Sequence, residues 1–201
     1  MNRRLFLGAL ALGSAFPSTA KMLTGESPLE GERPLSTWLA AQKLAALKLA
    51  NADELIQIIF FIDPNCPACA SLWAWFDTTL RRNLASLWVP VAYMRPSSEA
   101  RAVALLRAAD PHAALAHNYG KGFDHQSWEG AIEPARNISP AEQARLKSNR
   151  RFWADLFGAT PLVLYRQADG TVWQTVGLPP GGFDTLLPRL AAPKLQTYPA
   201  R

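Results

Sequence analysis

Seven residues at the end of an apolar stretch constrain this chain more than any other feature. An apolar run from Leu55 to Ile62 leads into the segment DPNCPAC, Asp63 to Cys69. Continuous apolar residues over about eight positions are typical of a strand that is buried on both faces. The apolar residues after the segment recur at helical spacing, at Leu72, Trp73, Phe76 and Leu80. We therefore predict a strand that runs into a helix, with two cysteines at the joint.

Cys66 falls at the predicted helix N-terminus, and this position changes its chemistry. The first N–H groups of a helix have no partner within the helix and carry partial positive charge, so they favour a thiolate over a thiol. Pro67 suits the first helical position, where a missing N–H is no loss. We expect Cys66 to be the acidic nucleophile, and Cys69, one turn further on, to resolve a mixed disulfide formed at Cys66. The spacing predicts thiol–disulfide exchange.

A Cys-x-x-Cys pair has two other possible uses. Half of a zinc site has the same spacing, but a structural zinc site needs about four ligands, and the chain has 2 cysteines in all. The histidines, His112, His117 and His125, lie far away at no recognisable ligand spacing. An inert structural pair is the other alternative, and a Cys-Pro-x-Cys sequence at a strand-to-helix joint argues against it. We rank redox chemistry above a metal site, expect no cofactor beyond the dithiol, and rank both uses above an inert pair.

Residues 1–20 have the pattern of an export signal. Arg3 and Arg4 precede an apolar stretch from Leu5 to Phe16, and small residues at 18–20 form a cleavage site. The apolar stretch is shorter than the roughly 20 residues of a spanning helix, which argues against a membrane anchor. The arginine pair also leaves a twin-arginine route open. We predict a cleaved signal, a periplasmic location and a mature protein of residues 21–201.

The composition, with 49% apolar residues, is ordinary for a globular protein. An exported chain whose cysteines form one pair has none left for a structural disulfide, so the pair is expected to be chemically active. Loss of Arg3 and Arg4 would lower the formal charge from +5 to +3. That charge is too small to suggest a nucleic-acid partner.

The mature chain is predicted to contain one domain after a lead-in segment. Residues 21–50 are expected to begin flexibly, up to Arg33, and to include a helix from about Ser36 to Lys48 that rests on the domain. A membrane-binding helix is a weaker alternative there. Residues 51–201 form the domain, with a second strand over Leu87 to Met94 in which Pro90 indicates an edge or a bulge.

A helical insertion is predicted at about residues 97–158. Helices begin at Ser98, at Asp110-Pro111 and, with a capping box, at Ser139; the third ends at Gly158. Its predicted buried stripe is Leu146, Trp153, Leu156 and Phe157. Residues 120–137 are predicted to form a loop in which Phe123 and Trp128 cover the core, with a groove lining as the alternative. His112 and His117 are expected at the surface.

The second chemical landmark is Thr160-Pro161, directly before the apolar strand at 162–165. Proline at this position suits the first residue of a strand or an edge. The turn at Asp169-Gly170 predicts a hairpin that continues to Val176. A loop at 177–182 and a closing helix at 183–190 complete the predicted order.

This order of elements resembles the thioredoxin fold and, more narrowly, the catalytic domain of the periplasmic DsbC/DsbG thiol:disulfide interchange proteins, with the DsbG branch most similar. The residues that carry the resemblance are Asp63-Pro64, Cys66-Pro67-Ala68-Cys69, Trp73, Asp110-Pro111, Gly158-Ala159-Thr160-Pro161 and Val176-Gly177-Leu178-Pro179. They span roughly residues 55–190. The fold expected from it is α/β and thioredoxin-like, with a helical insertion between the second strand and the strand that begins at Pro161.

The resemblance implies that Pro161 is cis and lies beside the two sulfurs. It also implies that Thr160 presents its backbone to an extended client segment and its hydroxyl to the dithiol, with Pro67 and Ala68 as further site residues. Isomerisation, reduction and oxidation of client disulfides are the implied activities. The implied partners are exported proteins with cysteines, and a membrane thiol reductase or an oxidase system.

Two departures from the family pattern modify these expectations. The residues between Ala20 and Asn51 are too few for the family's dimerisation domain, so we expect a monomer. Ala68 stands where a DsbG-like site has an aromatic residue. A noncatalytic thioredoxin-like module that binds one exported partner is the competing hypothesis.

Overall fold

The computed structural model describes residues 27–29, 34–50, 54–79, 84–177 and 185–191. The predicted export signal at 1–20 lies outside these ranges. The strands are β1 (Ser27–Pro28), β2 (Leu47–Leu49), β3 (Ile58–Ile62), β4 (Ser86–Pro90), β5 (Leu162–Arg166) and β6 (Val172–Val176). The helices are α1 (Pro34–Ala41), α2 (Pro67–Thr79), α3 (Ser98–Arg107), α4 (Pro111–Tyr119), α5 (Pro140–Leu156) and a final 3-10 turn, Leu187–Arg189.

The described strands form one mixed sheet in the order β1-β6-β5-β3-β4-β2. Strands β3 and β4 are parallel and are joined by α2, whereas β5 runs antiparallel to both β3 and β6. Strand β3 is central and completely buried. The carboxyl end of β3 therefore places the cysteine segment at the centre of one end of the sheet, next to the start of β5.

Side chains of β3 alternate between two buried clusters because successive residues of a strand point to opposite faces. Phe60 packs in one cluster with residues of α2 and α4, such as Trp73 and Leu115. Phe61 packs in the other with residues of α1 and α5, such as Trp38 and Trp153. The helices thus cover both faces of the sheet, which explains why the apolar run before the cysteines shows no polar alternation.

The insertion has the three predicted helices, α3, α4 and α5, between β4 and β5. Asp110 caps α4 by accepting a hydrogen bond from Ala113 N. Ser139 and Glu142 form the predicted capping box at the start of α5. These local signals depend on residues within one helical turn, and all of them are confirmed.

The buried faces of the insertion agree only in part with the prediction. Leu146 and Trp153 are buried, but Phe157 is 37% exposed because the helix ends at Leu156 and the chain turns away there. Phe123 covers the core as predicted, whereas Trp128 is 48% exposed. The prediction was therefore wrong for Phe157 and Trp128.

The lead-in segment also differs from the prediction. Helix α1 ends at Ala41, and Leu47, Lys48 and Leu49 pair with β4 instead of extending the helix. Ser27–Pro28, expected within a flexible segment, pairs with β6. Tertiary pairing overrides helix propensity at these positions, because the sheet offers backbone partners that local sequence does not reveal.

Three further predictions about strands and helices need correction. Strand β3 begins at Ile58, three residues later than expected. Pro90 lies neither in an edge strand nor at a bulge: β4 sits between β3 and β2, and Pro90 ends it beyond the last pair with β2. In place of the closing helix the described residues form the 3-10 turn, where Pro188 lacks an N–H; residues 183 and 184 lie outside the described ranges.

Candidate active site

Cys66 lies at the point where the loop after β3 becomes helix α2. Its N–H donates to Asp63 O at 3.0 Å, and its carbonyl accepts from Ala70 N at 3.0 Å. Pro67 is the first residue of α2, as predicted. The tight turn before the helix and the first helical hydrogen bond therefore both fix the backbone of Cys66, so its sulfur is held at the helix N-terminus.

The two cysteines lie together as free thiols. The N–H of Cys69 donates to Cys66 Sγ at 3.3 Å, and the Cys66 thiol donates to Thr160 O at 3.6 Å. Cys66 is 2% exposed and Cys69 is 0% exposed. Of the two residues between them, Pro67 is half-buried and Ala68 is exposed. Whatever reaches the dithiol from solvent meets Cys66 and Ala68 first.

The pKa values of the two thiols are shifted in opposite directions. The pKa of Cys66 falls from 9.0 to about 7, chiefly because the Cys69 side chain hydrogen-bonds its sulfur; burial opposes the shift, and the Thr160 side chain and backbone N–H groups add to it. Burial raises the pKa of Cys69 well above 9.0, and a negative sulfur at Cys66 raises it further. At neutral pH one sulfur is therefore substantially thiolate while the other keeps its proton.

The start of β5 forms the opposite wall of the site. The Thr160–Pro161 peptide bond is cis, as the resemblance implied. Pro161 is buried, and its carbonyl accepts from Gly177 N at 2.8 Å. Thr160 is half-buried and supplies the carbonyl that faces Cys66. The structure thus brings together four of the predicted site positions: Cys66, Cys69, Thr160 and Pro161.

Sequence reasoning missed the role of Asp63. This fully buried carboxylate accepts four hydrogen bonds: from Asn65 N and the Ser98 hydroxyl at Oδ1, and from the N–H groups of Tyr93 and Met94 at Oδ2. Four acceptor positions match the capacity of a carboxylate. The position of Asp63 at the end of a fully apolar strand indicates a buried carboxylate with hydrogen-bond partners. No sequence pattern indicates which residues along the chain are those partners.

The insertion holds the cysteine loop through two buried amides. Asn65 donates to the hydroxyls of Ser97 and Ser98 and accepts from Gly130 N at 2.9 Å. Asn118 on α4 donates to Pro64 O at 2.9 Å. These contacts join the loop before Cys66 to α3, α4 and the 120–137 segment. The insertion is therefore part of the frame of the site.

Gly130 approaches this loop closely. A Cβ atom at this position would meet the side-chain oxygen of Asn118 and the carbonyl of Pro64. Tyr119, next to Asn118 on α4, donates its hydroxyl to Asp63 O at 2.8 Å. Nothing in the sequence marked these residues, because their partners are more than fifty positions away.

In the part of the chain that the structure describes, no group of three or more histidine, cysteine, aspartate or glutamate residues could hold a metal ion. His117 is exposed as expected, whereas His112, also expected at the surface, is half-buried and lies 2.7 Å from Asp77 Oδ1. His125 is exposed. Among the described helices, none combines the length and apolar character needed to cross a membrane.

The fold and the site define a class: an α/β protein with a thioredoxin-like fold and a dithiol at the start of its first long helix. No protein-family model matches the sequence. The chain is similar to the thiol:disulfide interchange protein DsbG of Pseudomonas aeruginosa, with 30% identity over 178 residues, 83% of this chain and 65% of that protein. DsbG of Escherichia coli is 28% identical over 147 residues, 71% of this chain and 56% of that protein. The predicted resemblance to DsbG is confirmed, and the chain spans less than two thirds of the length of either relative.

Solved structures support the fold independently. A periplasmic thioredoxin-like protein from Salmonella enterica serovar Typhimurium has a TM-score of 0.50 at 16% identity, covering 79% of this chain and 95% of that one. A linker-deletion mutant of ScsC from Proteus mirabilis has a TM-score of 0.50 at 19% identity, covering 76% and 78%. The predicted thioredoxin-like fold with its helical insertion is confirmed.

Proposed function

We propose that the protein is an exported thiol:disulfide oxidoreductase that exchanges disulfides with client proteins through Cys66 and Cys69. The observation that carries this proposal is the placement of the dithiol: Cys66 lies at the start of α2, with the N–H of Cys69 3.3 Å and the Thr160 carbonyl 3.6 Å from its sulfur. In this setting the pKa of Cys66 is lowered to about 7, and burial raises the pKa of Cys69. A nucleophile needs its thiolate at working pH, whereas a resolving thiol has to keep its proton until the first step is complete. The similarity to DsbG supports the same reaction class.

In the reducing direction the Cys66 thiolate attacks one sulfur of a client disulfide. The client disulfide breaks, a Cys66–client disulfide forms, and the other client sulfur leaves as a thiolate. Cys69 then loses its proton and attacks the Cys66 sulfur, which closes the Cys66–Cys69 disulfide and releases the second client thiolate. Two electrons pass from the dithiol to the client. Oxidation of a client is the reverse, and isomerisation follows when a client thiol, instead of Cys69, attacks the mixed disulfide.

Burial controls access to these steps. Cys66 has little exposed surface, and the backbone carbonyl of Thr160 faces its sulfur. We propose that an extended client segment lies along the backbone at Thr160, and that Pro67, Ala68 and Pro161 form the surface it contacts. Backbone pairing of this kind selects by shape more than by sequence, so many cysteine-containing proteins could serve as clients.

The direction of net exchange depends on the reduction potential relative to that of the compartment. We propose the periplasm as the location, from the predicted signal at residues 1–20 and from the periplasmic origin of a similar structure. A membrane thiol reductase or an oxidase system would then recycle the dithiol. The potential of Cys66–Cys69 in glutathione buffers is the measurement that separates a reductase from an oxidase. The monomeric state stays a prediction that sedimentation velocity can measure.

Trapping of mixed disulfides tests the proposed roles. We expect Cys69→Ala to accumulate client adducts through Cys66, because the resolving step is lost, and Cys66→Ala to form none. Nonreducing gels followed by mass spectrometry identify the bonded cysteine. Equal trapping by both variants would contradict the roles. Insulin reduction by the unaltered protein, against the variant with both cysteines replaced by alanine, separates catalysis from noncatalytic binding, since a binding module would keep its partner without either sulfur.

A further inference from the structure

Trp128 is a large apolar side chain that the structure holds in solvent. It is 48% exposed and does not cover the core. Its backbone has a φ of 57°, in the left-handed region that a bulky residue seldom adopts. Such a conformation costs free energy, and an observed case of this kind points to function. Neither burial nor backbone preference accounts for a tryptophan at this position.

The loop that carries Trp128 has a fixed conformation. Backbone hydrogen bonds run in both directions between Asp124 and Glu129, at 2.9 and 3.1 Å, and close the loop. The Asp124 carboxylate also accepts from Gln126 N at 2.8 Å and from Ser127 N at 3.1 Å. The ring is therefore presented by a preorganised turn, which lowers the cost of ordering on binding.

Both neighbours of Trp128 are attached to the segment that leads from β4 into α3. The carbonyl of Ser127, which precedes it, accepts from the Arg95 guanidinium. The carboxylate of Glu129, which follows it, accepts from the Ser97 hydroxyl at 2.9 Å. That hydroxyl in turn accepts from the amide that precedes the nucleophile in the chain. The position of Trp128 relative to the cysteine loop is thus fixed from two sides.

Gly130 limits the distance between Trp128 and the nucleophile. Its N–H donates to the side-chain oxygen of Asn65 at 2.9 Å, and Asn65 directly precedes Cys66. The covalent spans along this path place the Cα atoms of Trp128 and Cys66 at most about 18 Å apart. An extended segment rises about 3.3 Å per residue, so a chain bonded to Cys66 can reach Trp128 within about five residues.

The surface next to the nucleophile offers a client little apolar contact. Cys66 is 2% exposed, and the exposed Ala68 presents only a methyl group. A client held by one disulfide bond therefore depends on contacts further along its chain. Tryptophan is enriched among the residues that dominate binding in protein interfaces, because its rigid ring covers a large area at a small entropic cost. Trp128 is placed to make such a contact on the side of the insertion.

We propose that Trp128 is a client-binding residue: its ring binds a large apolar side chain that lies about three to five residues from the client cysteine bonded to Cys66. The inference deepens the proposed function and rests on it, because the client has to react at Cys66. The occupant is the polypeptide of the mixed disulfide, since the loop of Trp128 is joined to the cysteine loop through Asn65. Clients with apolar residues near a cysteine are therefore preferred.

The test uses the Cys69→Ala protein, which retains adducts at Cys66, and three disulfides. Two are disulfide-linked dimers of short synthetic peptides with one cysteine each. One peptide has phenylalanine at the third and fourth positions on either side of the cysteine, and the other has alanine there. Two consecutive positions are used because successive side chains of an extended segment point to opposite faces. Oxidised glutathione, which has no apolar side chain, is the third disulfide. Mass spectrometry of quenched samples gives the rate of adduct formation.

We expect the phenylalanine peptide to react about tenfold faster than the alanine peptide, since covering about 60 Å² of apolar ring surface corresponds to this ratio. Trp128→Asn should remove the difference, and asparagine tolerates the left-handed backbone of the turn. Trp128→Phe keeps an apolar ring and should keep most of the difference. Leu39→Ala is the matched control, because Leu39 is a 51% exposed apolar residue of α1. All variants should react equally fast with oxidised glutathione.

Three results would overturn the inference: equal rates for the two peptides, a difference that persists in Trp128→Asn, or a difference that Trp128→Phe or Leu39→Ala removes as completely. A Trp128→Asn protein that loses reactivity toward oxidised glutathione in the same proportion would also overturn it, since the ring would then act on the structure of the site. Each of these results leaves the exchange reaction itself intact in the Cys69→Ala protein. If that protein reacts with none of the three disulfides, the proposed function fails, and the inference fails with it.

Discussion

Replacing Asp63 by asparagine would test how the structure secures the loop before the dithiol. The carboxylate is fully buried and accepts hydrogen bonds at 2.9 Å from Asn65 N, 2.8 Å from Ser98 Oγ, 2.6 Å from Tyr93 N and 2.9 Å from Met94 N. Asp63→Asn keeps the shape of the side chain but leaves one oxygen in place of two. Its amide group would then face two donors.

The cost can be worked out from these four bonds. An amide oxygen accepts two hydrogen bonds, so two of the four donors lose their acceptor. Three of the four donors are backbone N–H groups, which no side-chain rotation can remove from the site. Each buried donor without an acceptor costs about 1–3 kcal/mol, which gives a loss of roughly 2–6 kcal/mol. Relief of the desolvation of a buried charge offsets a part of it, and we expect a net loss of about 3 kcal/mol.

Urea unfolding of the reduced protein, followed by tryptophan fluorescence, measures this loss. The midpoint should fall at an unchanged slope, because the same surface is exposed on unfolding. Asp169→Asn is the matched control: that carboxylate is exposed and accepts from Thr171 N and Oγ1 in the hairpin turn, where water can replace a lost acceptor. If both variants have the same midpoint, the four hydrogen bonds of Asp63 do not hold the loop as argued here.

Three further outcomes are expected. Because the pKa of Cys66 falls from 9.0 to about 7 on folding, the unfolded chain binds more protons between these values. The stability of the reduced protein should therefore rise by about 1.5–2 kcal/mol from pH 7 to pH 9 in urea titrations, and Cys66→Ala should abolish the rise. In Gly130→Ala the added Cβ would meet Asn118 and the carbonyl of Pro64, so the free energy of unfolding should fall by roughly 1–3 kcal/mol and the alkylation rate of Cys66 should change. An unfolding free energy and an alkylation rate equal to those of the unaltered protein would contradict the close packing. Ser139→Ala should cost about 1 kcal/mol through the lost helix cap and leave the pKa of Cys66 unchanged; a changed pKa would link that cap to the site.

Local signals made part of the fold and site predictable. The seven residues from Asp63 to Cys69 carry the strand end, the helix start and both sulfurs, so their arrangement follows from neighbouring residues alone. The caps at Asp110 and Ser139 are equally local. The position of Thr160-Pro161 opposite the dithiol came only from family resemblance, because no local pattern joins residues separated by 94 positions.

The errors of prediction concern partners that are distant in sequence. Leu47, Lys48 and Leu49 lie among helix formers, yet they complete the sheet beside β4. The predicted second strand includes Tyr93, but β4 ends at Pro90. The contacts of Tyr93 with Asp63 and Thr160 depend instead on the turn at Ala92. Such contacts are fixed by tertiary packing, which a single sequence expresses only weakly.

The scattered origin of the site has a consequence for a newly made chain. In an unfolded chain the Cys66 thiol has its ordinary pKa of 9.0, so about 1% of it is ionised at pH 7, against about half in the native structure. The contacts that lower this pKa come from Cys69 nearby and from the side chain of Thr160 far along the chain. The Cys66 thiol thus becomes reactive only when the chain has folded. Before that it reacts slowly with disulfides, including those of other newly made proteins around it.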